Sequence, residues 1–282
     1  MGFFDRLSKG WRMGIASLKI IQKNKQLVLF PIISGVALVL VIASFVGITY
    51  ASFGADLDQI AEQSTATDYV LTFLYYLICY FVIVFFNVGL VHCTRIYLQG
   101  GKPNFMDGVR FSMKRIPTIL GWAVLSATVG LLLKAIQENS GVLGNIIAGL
   151  IGVVWSIVTF FVVPVLAYEE VGPFEALKRS GKIMKEKWGE SIGASFSFGI
   201  LTLVAVLIIA LPLGFIFGMI NPILGFVVGG LAFFLIQSIV SSAEMVFIAT
   251  VYHSVVDDQP VDAFDSELID DLFVHKEKKG MF

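Results

Sequence analysis

The sequence predicts an all-α, polytopic membrane protein whose six transmembrane helices form three hairpins joined by cytoplasmic interfacial amphipathic helices. Three observations carry this. First, 57% of the 282 residues are hydrophobic and only 15% are charged, where a soluble domain carries about a quarter charged residues; the mean hydropathy of +0.85 agrees. Second, the apolar residues gather into six stretches that match the ~20 residues needed to cross a hydrocarbon core about 30 Å thick. Third, lysine and arginine fall on alternate connections between those stretches, the asymmetry that sets membrane orientation.

The first span covers residues 27–50, without one charge. Ahead of it, Arg6, Lys9, Arg12, Lys19, Lys23 and Lys25 make a basic segment too long for the start of a secretory signal, and the apolar stretch exceeds a signal's ~7–15 residues, so retention is expected. Phe4, Leu7, Trp11, Ile15 and Leu18 recur at three- and four-residue steps, which predicts a basic amphipathic helix over residues 1–26, lying in the membrane interface. Neither a myristoylation signal at Gly2 nor a C-terminal prenylation box is present.

The second span covers 69–94 and the third, shorter, 116–133. The fourth covers 142–168; the fifth and sixth, 191–220 and 223–252, meet at a tight turn at Asn221-Pro222, with Pro212 a kink site. These spans form a membrane domain over 27–256. Arg95, Lys102, Arg110, Lys114 and Arg115 follow the second span, and Lys178, Arg179, Lys182, Lys185 and Lys187 follow the fourth. The opposite side holds Lys134 alone, with Asp56, Asp58, Glu62 and Asp68 in its first loop. Both termini are therefore expected in the cytoplasm.

The basic connections share a pattern. Ser17-Leu18-Lys19, Ser112-Met113-Lys114 and Ser180-Gly181-Lys182 each precede a hairpin, and Pro173 to Leu177 is echoed by Pro260 to Phe264 and, loosely, by Pro103 to Val109. Proline followed by an acid marks a stop and a capped helix start. Three repeats of interfacial helix plus two spans would produce this; so would the shared composition of basic interfacial helices. The tail, 257–282, is acidic: Asp262, Asp265, Glu267, Asp270 and Asp271 surround Phe264, Leu268, Leu272 and Phe273. It reads either as a short helix docking on basic surfaces or a partner, or as a solvated tail.

The run from Ala16 to Pro31, and the pair Phe161-Val162-Val163-Pro164-Val165 and Gly172-Pro173-Phe174-Glu175-Ala176-Leu177-Lys178-Arg179-Ser180, resemble a family of prokaryotic six-span proteins catalogued only as a domain of unknown function. The resemblance implies a bacterial or archaeal plasma membrane and supplies no established site. More distantly, the serine-containing basic helices resemble the membrane domain of some glycerophosphodiester phosphodiesterases. The catalytic part of those enzymes is absent, so no activity is implied.

No catalytic residue stands out. The chain lacks HExxH, GxSxG, a P-loop and any nucleotide fingerprint. Cys79 and Cys93 are about 20 Å apart on a continuous helix and read as inert thiols. No metal, cofactor or nucleic acid is expected. The most informative residue is Glu244, inside the sixth span about 12 Å from its cytoplasmic end, where an ionisable group is costly. His92 and Asn87 lie about 7 and 15 Å deep in the second span. With Gln237 they define a candidate polar pocket for a proton, a cation or a lipid headgroup; the alternative is that Glu244 holds helices together. Arg6, Lys9, Arg12, Lys19, Arg110, Lys114, Lys178 and Lys182 are the candidate contacts to anionic lipid. Gly225 and Gly229 make a small-xxx-small step, suited to helix packing or to an oligomer contact. The function expected is a non-enzymatic membrane scaffold or adaptor contacting lipid or a partner protein through its cytoplasmic face, with a homo-oligomer as a further candidate partner. The alternative is a small-solute or ion transporter or channel with Glu244 in the path.

Overall fold

The computed structural model describes residues 14–53, 66–139, 141–185 and 195–256. All regular structure among them is helical, and six helices are long and apolar enough to cross a membrane. Residues 14–23 are helical (α1), and a 3-10 turn at Lys25–Val28 leads into α2 (Leu29–Phe53). Then come α3 (Ala66–Leu98), α4 (Phe105–Lys114), α5 (Ile116–Asn139), α6 (Gly141–Val158), α7 (Val162–Tyr168) and α8 (Pro173–Ile183). The last are α9 (Ser195–Ala205), a π-turn (Val206–Ala210), α10 (Leu211–Ile220) and α11 (Pro222–Val256). The third span is longer than expected: α5 runs on through Lys134, whose ammonium pairs with Glu138 one turn later at 3.6 Å.

The breaks have local causes. α3 ends in a Schellman motif, with Gly100 at φ +80°, its N–H donating to the Tyr97 carbonyl, and the Gly101 N–H donating to that of Ile96. A glycine supplies that left-handed residue without a Cβ clash. The start of α4 is a capping box: the Asn104 side chain accepts from the Met106 N–H and the Asp107 carboxylate from the Asn104 N–H, at 3.2 and 3.1 Å. The fourth span is interrupted between α6 and α7. Pro164 lacks an N–H and its ring displaces the carbonyl of Phe160. The chain tightens there, with Phe160 bonding to Ile157 and Val162 to Thr159. Asn221 is extended, and its side-chain oxygen accepts from the Ile223 and Leu224 N–H groups, so α11 starts at Pro222 directly after α10.

The chain forms two compact units. The first comprises residues 29–93 and 104–180. Its large buried side chains lie toward the basic-connection end of each span: Phe30 in α2, Val88 and Val91 in α3, Ile119 and Trp122 in α5, Phe161 and Leu166 at the fourth span's break, while the small Gly144 and Ala148 are buried near the start of α6. The other ends expose Leu40, Tyr50, Val70, Leu132 and Val142. Phe30 sits at a crowded junction, 4.6 Å from Phe105 by ring centroids. Its ring covers Gly89 and Gly108, where α3 and α4 approach so closely that a Cβ on Gly89 would lie 3.0 Å from the Gly108 carbonyl oxygen. Trp122 and Trp155 stack in parallel between α5 and α6 at 5.8 Å.

The second unit comprises the described parts of residues 1–28, 94–103 and 181–282. It buries Ile20, Ile21 and Leu27 and, on α11, Val246 to Tyr252, while the first half of α11 exposes Ile223, Phe226 and Leu231. α10 and α11 pack backbone to backbone. Gly218 faces Gly225 and Gly214 faces Gly229, and a Cβ on Gly229 would come within 3.1 Å of the Gly214 Cα. The small-xxx-small step of Gly225 and Gly229 is therefore filled by the chain's own helix, the helix-packing alternative of the two that the sequence offered.

Candidate functional site

The sequence-derived candidates are divided between the two units. Asn87 and His92 belong to the first unit, Gln237 and Glu244 to the second. Five residues apart on one continuous helix, Asn87 and His92 point about 140° apart and do not share a face. Gln237 and Glu244 are seven apart on α11, so they do share a face, about 10 Å from each other. Gln237 is exposed and Glu244 half-buried.

Around His92 the first unit assembles a cluster that sequence reading did not anticipate. The imidazole stacks on Phe111 of α4, with centroids 3.9 Å apart and the planes within 3°. Phe111 also lies 6.3 Å from Tyr168, and the Arg115 guanidinium sits 5.7 Å from its centroid. The Tyr168 hydroxyl donates to the Val91 carbonyl at 2.9 Å, tying the end of α7 to α3. Arg115 pairs loosely with the exposed Glu170 at 3.7 Å, and Arg179 binds Glu169 at 3.0 Å. The readable signals were the Phe111–Arg115 helical step and the Glu169-Glu170 pair where the fourth span ends. The cluster joins α3, α4, α7 and α8; its cations are matched by carboxylates, which gives it a positioning character.

The two short basic helices are held by hidden hydroxyls. In α4, Gly108 and Ser112 are buried while Arg110, Met113 and Lys114 are exposed. In α8, Ala176 and Ser180 are buried while Phe174, Lys178 and Lys182 are exposed. Ser112 Oγ donates to the Phe85 carbonyl at 2.7 Å, whereas Ser180 Oγ accepts from the Phe161 N–H at 3.0 Å. The latter meets the N–H at the Pro164 break. Ser17, the third serine of the pattern, is also fully buried, and Lys19 beside it is exposed. Arg6, Lys9 and Arg12 lie outside the described residues, as does the acidic tail.

Cys93 is buried, its thiol donating to the Asn104 carbonyl at 3.4 Å, and Cys79 is half-buried. Among the described residues no group of three His, Cys, Asp or Glu side chains is placed to hold a metal ion.

Six spanning helices define a multi-pass, all-α membrane protein. The model of a protein family of unknown function, DUF6159, matches residues 66–261, and the chain belongs to that family. The match includes the Phe161–Val165 and Gly172–Ser180 motifs and begins beyond the run from Ala16 to Pro31. No curated protein and no solved structure matches the chain.

Proposed function

We propose that this protein is a non-enzymatic scaffold or adaptor of a prokaryotic plasma membrane, with both termini in the cytoplasm, which gathers anionic lipid or a partner protein on its cytoplasmic face. One observation carries the reading. Arg110 and Lys114 on α4 and Lys178 and Lys182 on α8 are exposed, while the opposite faces of the same helices are anchored to span backbone by Ser112 and Ser180. Cations on a helix fixed in this way present a static array, in which each lysine or arginine near an anionic surface contributes about 1 kcal/mol. A positive-inside signal alone would not require helices fastened at two sites per pair.

Native mass spectrometry of the protein released from bilayers of defined composition tests this. Retention of anionic over zwitterionic phospholipid is expected, with a large loss on Arg110→Glu/Lys114→Glu. Retention that ignores both anionic lipid content and these substitutions would overturn the lipid arm. Unchanged co-purifying proteins in the same variant would overturn the partner arm.

The transport alternative draws support from Gln237 and Glu244 sharing one face of α11. It predicts a proton or cation flux in proteoliposomes that is abolished by Glu244→Gln.

A further inference from the structure

Among the described residues, one face of α11 is exposed. Phe226, Gly230, Phe233 and Gln237 follow steps of four, three and four, so they align along the helix. All four are exposed, Phe226 at 83% and Phe233 at 50%. A Cβ added to Gly230 would meet nothing within 4 Å. This glycine is a notch between two projecting rings, in contrast to Gly225 and Gly229, which α10 fills. The stripe borders an apolar groove of about 560 Å3, whose other wall includes Val206, Leu211 and Phe215.

Beyond the groove, one turn past Phe233, the stripe ends on a polar residue. Gln237 stands at the middle of the span Pro222–His253. Extending the Gly218–Gly225 and Gly214–Gly229 register by eight residues sets Gln237 level with Val206, where the π-turn begins. There the Leu211 N–H donates to the Val206 carbonyl in place of that of Leu207. The next residue, Pro212, has no N–H. Pro212 thus offers Leu207 no donor with which to continue the π pattern. An exposed carboxamide at mid-membrane faces a hydrocarbon medium that offers no hydrogen bond.

We propose that this face of α11 is where a second copy of the chain docks, with the Gln237 carboxamides pairing across a twofold axis. A carboxamide is both donor and acceptor, so two related by a twofold satisfy each other, as an isologous contact requires. The same symmetry sets the two Gly230 notches level with each other, where the helices can approach between the flanking rings. A phospholipid chain would fill the groove but leave Gln237 without a partner. The inference goes beyond the scaffold reading and stands independently of it.

The test is dimerisation of the full chain in liposomes, followed by fluorescence energy transfer as lipid is added to dilute the protein. A wild-type dimer is expected. Gln237→Leu should weaken it roughly threefold to thirtyfold, the range of polar contacts between membrane helices. Gly230→Leu, which fills the notch, should weaken it further, while Gln237→Asn should retain most of the association. Helical circular dichroism of each variant separates dimer loss from misfolding, since all these positions are exposed. A wild-type chain that stays monomeric at every dilution overturns the proposal, as does a dimer indifferent to Gln237→Leu. Arg110→Glu/Lys114→Glu should leave the dimer intact, so the failure of one proposal is distinguishable from that of the other.

Discussion

The two units solve the same packing problem with different chemistry. In the first, distant elements are stitched by side-chain hydrogen bonds: Ser112 to Phe85, Ser180 to Phe161 and Tyr168 to Val91. In the second, the spans carry local side-chain hydrogen bonds. Thr202, Ser238, Ser242 and Thr250 each return their hydroxyl to the carbonyl four residues back, and the hairpin is held by glycine backbones in contact. Lipid tails are as apolar as leucine, so membrane helices gain little by hiding apolar surface from them; hydrogen bonds and close backbone approach remain. The first unit sets the Gly89–Gly108 approach beside its hydrogen bonds, and the second has the longer glycine seam.

That contrast orders the expected effects of mutation. The largest belongs to the glycine seam. Gly225→Ala places a methyl against the Gly218 Cα and the Gly214 carbonyl, and backbone cannot yield as a side chain can. A loss of about 3 kcal/mol is expected, at the upper end for overpacking, read as a lowered unfolding midpoint in detergent. A stability within error of wild type would show that the helices separate freely and that the seam is not the second unit's main contact.

Next comes Ser180→Ala in the first unit. It strips the acceptor from a buried N–H at the Pro164 break and should cost about 1–3 kcal/mol. Ser112→Ala should cost less, about 0.5–1 kcal/mol, because the Phe85 carbonyl keeps its helical donor. Thermal unfolding of the two variants side by side checks the order, and a reversal would mean that Ser180 is not what satisfies the break. The smallest effect is expected in the second unit. Ser242→Ala removes a hydroxyl that serves only its own helix and should shift stability by no more than about 0.5 kcal/mol. A larger loss would mean that the second unit too depends on polar stitching.

Much of the architecture was legible in the chain. The hydropathy pattern showed six spans because the bilayer demands about 20 apolar residues from each, and Asn221-Pro222 read as a turn because that pair stops one helix and caps the next. The Pro103–Asp107 pattern read as a capped start and is one. The cluster around His92 was not legible. Its members lie on α3, α4, α7 and α8, and only packing brings residues 92, 111 and 168 together. Spacing along one helix fixes relative direction, about 140° between Asn87 and His92 on α3, but not which side chains of other helices each one meets.

The linear sequence by itself determined which segments enter the membrane, where they break and where the cations gather, since transfer into hydrocarbon, proline geometry and charge segregation all act locally. Tertiary structure decided the fate of identical residue types: Gly225 and Gly229 are spent inside the hairpin while Gly230 stays open, and Ser112 donates where Ser180 accepts. The physical reason is that a glycine or a serine has no preferred partner of its own; what it binds depends on which backbone the fold brings within a few ångströms.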